Sequence, residues 1–448
     1  MEGLAIGAIM SVIALIAVVI IACIKEELNV GFLSISFAII VGSIWNEASG
    51  AKILTYFPTG LFMMLVGVTF MFGIAQTNGT MSKFTAYVVR TCRGNTALVP
   101  LIIFLLINMI SFIGPGNIGS TALMAPIAMA IAERVDMPAI LMCMLVAGGA
   151  NCSAFSPFAP TGIVSSGLIS KMAPALGIID VAGLNWKIYF NTVTIQSTVT
   201  IAGFAFFGGF GWIRKQLNAD INIDELAPKP EPFSKHQLLT LIMIFVLIII
   251  IVLPGIPILK GLFPKVFLNM FANVGTIAFI LASVLMLTGS ADTKDSIKAI
   301  PWGVIMMVGG VTVLIEVMDK SGGLNALVKI IGSISNPITV NGWLGLFTGV
   351  ISAYSSSTGV VMPMFLPMVP GLIKEIGGGN PIALISSINI GAHLVDTSPL
   401  STGGALCIAC AAEHEDKAKL FRSLLFWGLS MSVVGAVLCY VIFGLFGM

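Results

Sequence analysis

The chain has 448 residues, of which 57% are hydrophobic and only 9% are charged. A soluble domain carries about 25% charged residues, so this composition excludes a water-soluble multidomain protein. The net charge of +2 does not indicate a nucleic-acid partner. Because a spanning helix takes about 20 apolar residues, the sequence predicts an all-α polytopic membrane protein whose main partner is the lipid bilayer.

Apolar runs separated by charged or turn residues predict about ten spanning helices. Two of them, 138–172 and 381–412, contain polar interruptions, and we expect these spans to be discontinuous. The regions 97–135 and 343–375 each consist of two apolar runs with a Gly- or Ser-rich break, and they predict re-entrant helical hairpins. The uninterrupted spans are predicted at 3–24, 29–45, 59–77, 186–211, 237–255, 267–289, 302–319 and 423–446.

The two halves of the chain share residues at a nearly constant spacing of 241 to 243 positions. When Met63 is aligned with Met306, residues 67–69 fall on the identical residues 310–312. Several pairs in the same order at one spacing indicate an internal duplication. The further pairs are Ile110-Ser111 with Ile351-Ser352, Gly149-Ala150 with Gly391-Ala392, and Ser156-Pro157 with Ser398-Pro399.

The duplication divides the chain into a first repeat at 1–212, a linker at 213–236 and a second repeat at 237–448. Each repeat holds five predicted spans, so the second enters the membrane from the opposite side and the repeats are inverted. With the N-terminus outside, most of the 22 basic residues fall on the inner side, as the positive-inside rule requires. We therefore expect both termini outside, a cytoplasmic linker, and a location in a bacterial cytoplasmic (inner) membrane.

Four polar interruptions fall inside apolar stretches, two in each repeat. The hairpin tips lie at 111–121 and 352–359, and the broken spans are interrupted at 151–162 and 393–403. Backbone groups freed at membrane depth persist only where protein or a water-filled cavity satisfies them. The half-helix ends then attract anions at their N-termini and cations at their carbonyls. Matching breaks in two inverted repeats therefore predict a transporter binding site.

The polar residues at the breaks include few ionisable groups. No lysine or arginine lies in these four segments, so we expect dipoles, amides and hydroxyls to hold an anionic substrate, with a coupled cation supplying positive charge. Asp396 is the one acid at a break, and it is a cation ligand, a proton carrier or a helix-cap acid near the interface. His393 is a candidate of the same kind or a packing residue. Further polar candidates are Asn151, Thr161 and Thr402.

Two charged features are expected at the membrane surfaces. The run 83–93 alternates charges with apolar residues and predicts an amphipathic helix lying on the inner surface. Glu316 and Asp319 come just before Lys320 at the end of a predicted span. We interpret these three residues as an interfacial ion pair rather than a site.

At its interruptions the sequence resembles the ion-transporter superfamily that includes divalent-anion:sodium symporters, and within it the MatC-type malonate and dicarboxylate carriers. The most specific parts are G-N-I-G-S-T-A-L-M-A-P-I at 116–127 and G-G-A-N-C-S-A-F-S-P-F-A-P-T-G-I-V at 148–164. Those symporters carry a Ser-Asn-Thr triplet at each hairpin tip. The matching positions here are 116–118 and 357–359, so only the first tip keeps the asparagine and neither keeps the whole triplet.

The resemblance implies roles for individual residues. It places one sodium ion at Asn117 and the Phe155 carbonyl, and a weaker second one at Thr358 and the Thr397 carbonyl. It also implies a homodimer working by an elevator-like motion, in which the hairpins and broken helices move against a scaffold. The implied substrate-binding residues are Gly116, Asn117, Ile118, Ser156, Pro157, Ser357, Thr358, Gly359, Ser398 and Pro399.

These observations predict a secondary active importer of small di- or tricarboxylates, driven by sodium or by protons and using no cofactor. The first alternative is a cation/proton antiporter of related architecture with Asp396 as the proton carrier. An intramembrane enzyme would need a nucleophile–base or metal constellation. The sequence contains no H-E-x-x-H motif, and its His414-Glu415 pair lies in a charged loop. A structural role would not explain the paired breaks.

Overall fold

The computed structural model describes residues 2–24, 28–46, 48–90, 95–217, 229–252 and 274–447, and the regular elements of these ranges are helices. Several predictions fall partly outside the described residues. They concern the end of the surface helix at 91–94, the middle of the linker at 218–228, and the adjoining ends of two second-half spans at 253–273.

The helices of the first half follow the predicted spans closely. A π-helical segment, Met144–Gly148, joins the two short helices of the broken span. The helices are α1 (Glu2–Ile24), α2 (Val30–Trp45), α3 (Gly50–Leu54), α4 (Thr59–Thr77), α5 (Thr80–Val89), α6 (Val99–Ile113), α7 (Gly116–Arg134), α8 (Ala139–Cys143), α9 (Gly149–Cys152), α10 (Pro160–Met172), α11 (Val181–Phe206) and α12 (Gly209–Gln216).

The second half contains a similar series of helices with more irregular helix. A π-helical segment, Ser357–Val361, follows the second hairpin tip, and 3₁₀ turns occupy Leu366–Met368 and Val395–Thr397. The helices are α13 (Lys235–Val252), α14 (Val274–Leu287), α15 (Thr293–Lys298), α16 (Trp302–Lys320), α17 (Gly323–Ser333), α18 (Val340–Ser352), α19 (Met362–Phe365), α20 (Val369–Glu375), α21 (Pro381–Leu394), α22 (Thr402–Ala409) and α23 (Lys417–Cys439).

Apolar helices of spanning length support the predicted all-α membrane protein. Among the described residues five helical stretches are long and apolar enough to cross a bilayer, or six if α11 and α12 count as one bent span. Seven further apolar helical stretches have 10–17 residues. The total of ten spans and the number of repeats stay predictions.

The last span of the first half differs from its prediction. The apolar run predicted one helix over 186–211, but α11 ends at Phe206 and α12 leaves it at an angle of 69°. Gly208 between them has a φ of 90°, in the left-handed region that favours glycine. Trp212 of α12 then donates from Nε1 to the Asp136 carbonyl at 3.0 Å. Hydropathy does not reveal such a turn, because the residues on both sides of it are apolar.

The predicted hairpins and broken spans are interrupted where the sequence placed the breaks. In the first hairpin α6 and α7 pack against each other across the turn at 114–115. The first broken span stops at Cys152 and resumes at Pro160. The second stops as α-helix at Leu394 and resumes at Thr402. Each half therefore brings two non-helical stretches into the apolar body of the protein.

Two helix pairs bring the halves into backbone contact. Helix α2 packs on α16, and α4 packs on α14. A methyl group added at Gly310 would lie 2.0 Å from the Gly31 carbonyl oxygen, and one added at Gly67 would lie 2.5 Å from the Gly275 carbonyl oxygen. Small residues allow membrane helices to approach this closely. Gly67 and Gly310 are an aligned pair, so a glycine at the same position of each half allows an equivalent helix contact.

Both helix pairs also end in an asparagine–serine contact between the halves. Beyond α4 and α14, Asn78 Nδ2 donates to the Ser290 carbonyl at 3.1 Å. Beyond α2 and α16, Asn46 Nδ2 donates to Ser321 Oγ at 2.8 Å. These amides satisfy polar groups at helix ends. The two helix pairs therefore end in contacts between the same residue types.

We expect Gly310→Ala to destabilise the protein by about 1–3 kcal/mol, the usual cost of overpacking a close contact. The added methyl would force α16 away from the α2 backbone. Gly60→Ala in α4 is the matched control, because a methyl added there meets no atom within 4 Å. Thermal unfolding of the purified variants in detergent measures the difference. Equal melting temperatures for the two variants would contradict this account of the helix contact.

Candidate functional site

A cavity of about 540 Å³ lies between the two halves. All four predicted interruptions contribute to it, and residues of α2 and α16 close the remaining side. Its lining, within the described residues, contains no lysine or arginine. The lining residues are Leu28, Val30, Asn117, Ile118, Thr121, Ala147, Asn151, Val304, Met307, Tyr354, Ser355, Ser356, Ser357, Thr358, Asp396, Leu400, Ser401, Thr402 and Gly403.

An amide pair forms the first-half wall of the cavity. Asn117 Nδ2 donates to Asn151 Oδ1 at 2.9 Å, which joins the first hairpin tip to the first broken span. Gly116 precedes this asparagine with a φ of 67°, where a side chain is disfavoured. A methyl added at Gly116 would also lie 2.9 Å from Pro160 Cδ. The backbone therefore favours glycine at this position.

Hydroxyl and carboxylate groups form the second-half wall, with a buried imidazole behind them. Ser357 Oγ donates to Asp396 Oδ2 at 2.6 Å, and Thr358 Oγ1 lies 3.5 Å from His393 Nε2. Thr358 also lies 3.1 Å, between hydroxyl oxygens, from Thr161 of the first half. At the spacing found in the sequence, Thr358 and His393 align with the amide pair of the first half. The two walls are therefore equivalent in position but different in chemistry.

One serine in each half holds a hairpin against a broken span. Ser111 Oγ donates to the Ala150 carbonyl at 2.7 Å, and Ser352 Oγ donates to the Ala392 carbonyl at 2.6 Å. The last carbonyls of a helix have no partner within that helix, and these serine hydroxyls satisfy two of them. All four residues belong to pairs that align between the halves, so the same contact occurs twice.

The Ser-Pro turns of the broken spans lie behind the cavity wall. Ser156 Oγ donates to the Phe112 carbonyl at 2.6 Å and accepts from the Phe158 amide at 3.2 Å. Ser398 Oγ accepts from the Leu400 amide at 3.2 Å. Both serines are buried and neither they nor the following prolines line the cavity. A direct contact between these turns and a substrate stays a prediction.

A glycine behind each turn lets the broken span fold back on itself. Methyl groups added at Gly162 and Gly404 would lie 1.9 Å and 2.2 Å from the carbonyl oxygens of Ser156 and Ser398, respectively. These two glycines are separated by the same spacing as the two serines. The residue count therefore makes Gly404, rather than Gly403, the counterpart of Gly162.

The structure brings some of the predicted site residues to the cavity and places others behind it. The imidazole of His393 is buried, and its centroid lies 4.5 Å from that of the Phe155 ring. Those that line the cavity are Asn117, Ile118, Asn151, Ser357, Thr358, Asp396 and Thr402. Those outside the lining are Gly116, Phe155, Ser156, Pro157, Thr161, Gly359, His393, Thr397, Ser398 and Pro399.

Sequence reasoning missed two groups of lining residues. Thr121, Ser355, Ser356 and Ser401 are hydroxyl residues inside or beside the interruptions, and that combination was a usable signal. The apolar residues Leu28, Val30, Val304 and Met307 carried no signal, because similar residues occur throughout the spans. Only the packing of α16 against the second tip, and of α2 against α16, places them at the cavity.

The acid predicted to pair near Lys320 has a different partner. Glu316 Oε1 accepts from Lys171 Nζ at 3.1 Å, which connects the end of α10 to α16. Lys320 instead lies over the Tyr56 ring, with Nζ 5.1 Å from the ring centroid. Lys171 and Glu316 are distant in sequence, so the local charge pattern did not reveal their pairing.

We expect Ser111→Ala and Ser352→Ala to destabilise the protein by similar amounts, about 1–3 kcal/mol each, because each leaves a buried carbonyl without its hydrogen bond. Ser283→Ala is the control, since that exposed hydroxyl donates only to the Phe279 carbonyl of its own helix. Thermal unfolding in detergent compares the three variants. If only one of the two substitutions lowered the melting temperature, the two contacts would not be equivalent.

Comparison with known proteins bears on the first half and on the fold. Residues 6–154 match the family model described as the N-terminus of the dicarboxylate carrier protein MatC. The resemblance to MatC-type carriers is thereby confirmed over this stretch, which includes the first hairpin tip. The crystal structure of the Alcanivorax borkumensis YdaH transporter has a similar fold, with a TM-score of 0.58, 16% identity and coverage of 88% of each chain. No match was found among curated protein sequences.

Proposed function

We propose that the protein is a secondary active transporter that imports small dicarboxylates in symport with sodium. The observation that carries this proposal is the cavity between the halves, which all four interruptions line with hydroxyl and amide groups. The match to the MatC dicarboxylate carrier family supports the class of substrate. The likeness to the YdaH transporter supports a transporter fold.

The cavity offers complementary groups for an anion and a cation. Helices α7 and α22 begin beside it, at Gly116 and Thr402. Helix N-termini attract carboxylates through the helix dipole and free N–H groups. The side-chain oxygens of Asn117 and Thr358, with the nearby carbonyls of the breaks, are ligands of the kind that sodium takes in discontinuous helices. Binding both ions together reduces the net charge that must enter the membrane.

The two halves act as inverted copies in this proposal. Their repeated serine–carbonyl bonds and their repeated glycine contacts support an internal duplication. The moving block would consist of the hairpins and broken spans, α6–α10 and α18–α22. The other helices would form the scaffold of a homodimer in the bacterial inner membrane, with both termini outside. Alternating access would then occur by an elevator-type motion of the block.

A cation/proton antiporter is the second candidate, and the position of Asp396 favours it. This carboxylate lines the cavity and accepts a hydrogen bond from Ser357. An acid inside a membrane protein is a proton carrier in many pumps and transporters. Proton-coupled sodium flux in vesicles without any organic anion would favour this candidate over the symporter. The match to a carrier family and the likeness to a transporter favour a carrier over an enzyme.

Sodium-driven uptake of labelled malonate into proteoliposomes tests the proposed function. We expect Asn117→Ala to reduce uptake by roughly tenfold to a hundredfold, the range seen when ligands around a metal ion are disturbed. Thr198→Ala is the control, because that exposed hydroxyl donates only to the Thr194 carbonyl of its own helix. Uptake that needs no sodium and is unchanged in Asn117→Ala would contradict the sodium assignment.

Crosslinking of a double variant, Lys171→Cys with Glu316→Cys, tests whether the block moves against the scaffold. These residues form an ion pair between α10 of the block and α16 of the scaffold, and their side chains are 48% and 35% exposed. We expect a short bifunctional maleimide to stop uptake in the double variant and to leave each single variant active. Full transport by the crosslinked double variant would contradict motion between these helices.

A further inference from the structure

The second-half break contains an acid that the first half lacks. Asp396 comes directly before Thr397, whereas the aligned position in the first half is Ala154, directly before Phe155. The hairpin tips also differ, because Thr358 occupies the position that Asn117 has in the first half. Compared with the first half, the second half therefore has a hydroxyl in place of the carboxamide at the tip and a carboxylate on the facing span.

The carboxylate and the second tip are in direct contact. Ser357 Oγ donates to Asp396 Oδ2 at 2.6 Å, and the Asp396 side chain is only 12% exposed. Ser401 Oγ donates to the Asp396 carbonyl, which holds the backbone of the break in place. Carboxylate and hydroxyl oxygens are hard ligands, the type that alkali and alkaline-earth cations prefer. The contact therefore joins two cation-binding groups from two separate elements.

The ion pair that the described structure gives Asp396 is a long one, to an imidazole. Within the described residues the cavity lining contains no lysine or arginine. His393 is the basic side chain that faces the acid, and its Nε2 lies 3.9 Å from Asp396 Oδ2, beyond hydrogen-bond distance. A nearly buried carboxylate whose charge is not closely paired is energetically costly, even where a hydroxyl donates to it. A cation bound at this carboxylate would remove most of that cost.

We propose that Asp396, Ser357 and Thr358 form a charged binding site for a sodium ion in the second half. This inference rests on the proposed sodium-coupled carboxylate transport and specifies the ligands of its second ion. The resemblance implied a weaker site at Thr358 and the Thr397 carbonyl, built without an acid. In the site proposed here the carboxylate supplies the main attraction, and it compensates for the asparagine that the second tip lacks.

The site also predicts the order in which the ions bind. Asp396 and the amide wall at Asn117 and Asn151 line the same cavity, so an anionic substrate there is repelled by the free carboxylate. The repulsion falls when sodium neutralises Asp396. Sodium therefore binds first at this site, and the affinity for the dicarboxylate depends steeply on sodium concentration.

Stabilisation by sodium alone tests the site without any substrate. The melting temperature of the purified full-length protein in detergent is measured against sodium chloride, with choline chloride keeping the ionic strength constant. A cation that binds only the folded state raises the apparent stability. We expect Asp396→Asn to raise the half-saturating sodium concentration by roughly tenfold to a hundredfold. We expect Ser357→Ala to raise it less, and Thr198→Ala to leave it unchanged.

Two results would overturn the proposal. One is a wild-type protein that sodium stabilises no more than choline does. The other is an unchanged sodium midpoint in both Asp396→Asn and Ser357→Ala. If size-exclusion chromatography shows that Asp396→Asn is misfolded, Ser357→Ala decides alone. The sodium titration contains no dicarboxylate, so its result does not depend on malonate transport. Failure of malonate uptake would therefore count against the proposed function alone.

Malonate binding provides the second arm of the test. In wild-type protein we expect no malonate-induced stabilisation in choline chloride, because the charge on Asp396 opposes the anion. In Asp396→Asn the repulsion is absent, and we expect malonate to stabilise the protein without sodium. Identical sodium dependence of malonate binding in the two proteins would overturn the binding order.

Discussion

The central constraint on this structure is that backbone polar groups inside a membrane must find partners within the protein. The four interruptions create helix ends inside the apolar body of the protein, and serine hydroxyls satisfy carbonyls at two of them. Ser111 and Ser352 each donate to a carbonyl of a neighbouring broken span. These two bonds fix each hairpin tip against its broken span. The cavity can exist because its irregular walls are held together by such contacts.

The contacts between the halves explain why the four interruptions meet. Helices α2 and α4 of the first half pack against α16 and α14 of the second, with glycines at the closest approach. Helices of both halves therefore pack together in one framework. Met307 of α16 and Val30 of α2 lie in the cavity wall beside the second tip. The framework thus positions the tips and also closes the cavity on one side.

Equivalent positions in the two halves have diverged in chemistry. The first half presents the neutral pair Asn117 and Asn151, and the second presents Thr358 and His393 with Asp396 beside them. Aligned residues of the two halves share a backbone arrangement, whereas single differences in residue type change the charge of one wall. In a cavity whose described lining carries no basic side chain, one carboxylate dominates the local field. The asymmetry therefore concerns ion binding more than the fold.

The sequence alone determined the membrane class, the helix positions and the four breaks, because hydropathy and Gly, Pro and Ser clusters are local properties. It also supplied the aligned pairs Ser111–Ser352 and Ala150–Ala392, whose hydrogen bonds then appeared in the structure. Only the tertiary structure decided that α11 bends into α12, that Lys171 pairs with Glu316, and that the Ser-Pro turns lie behind the cavity. These features depend on which helices pack together, and residues far apart in the chain carry no local signal of that contact.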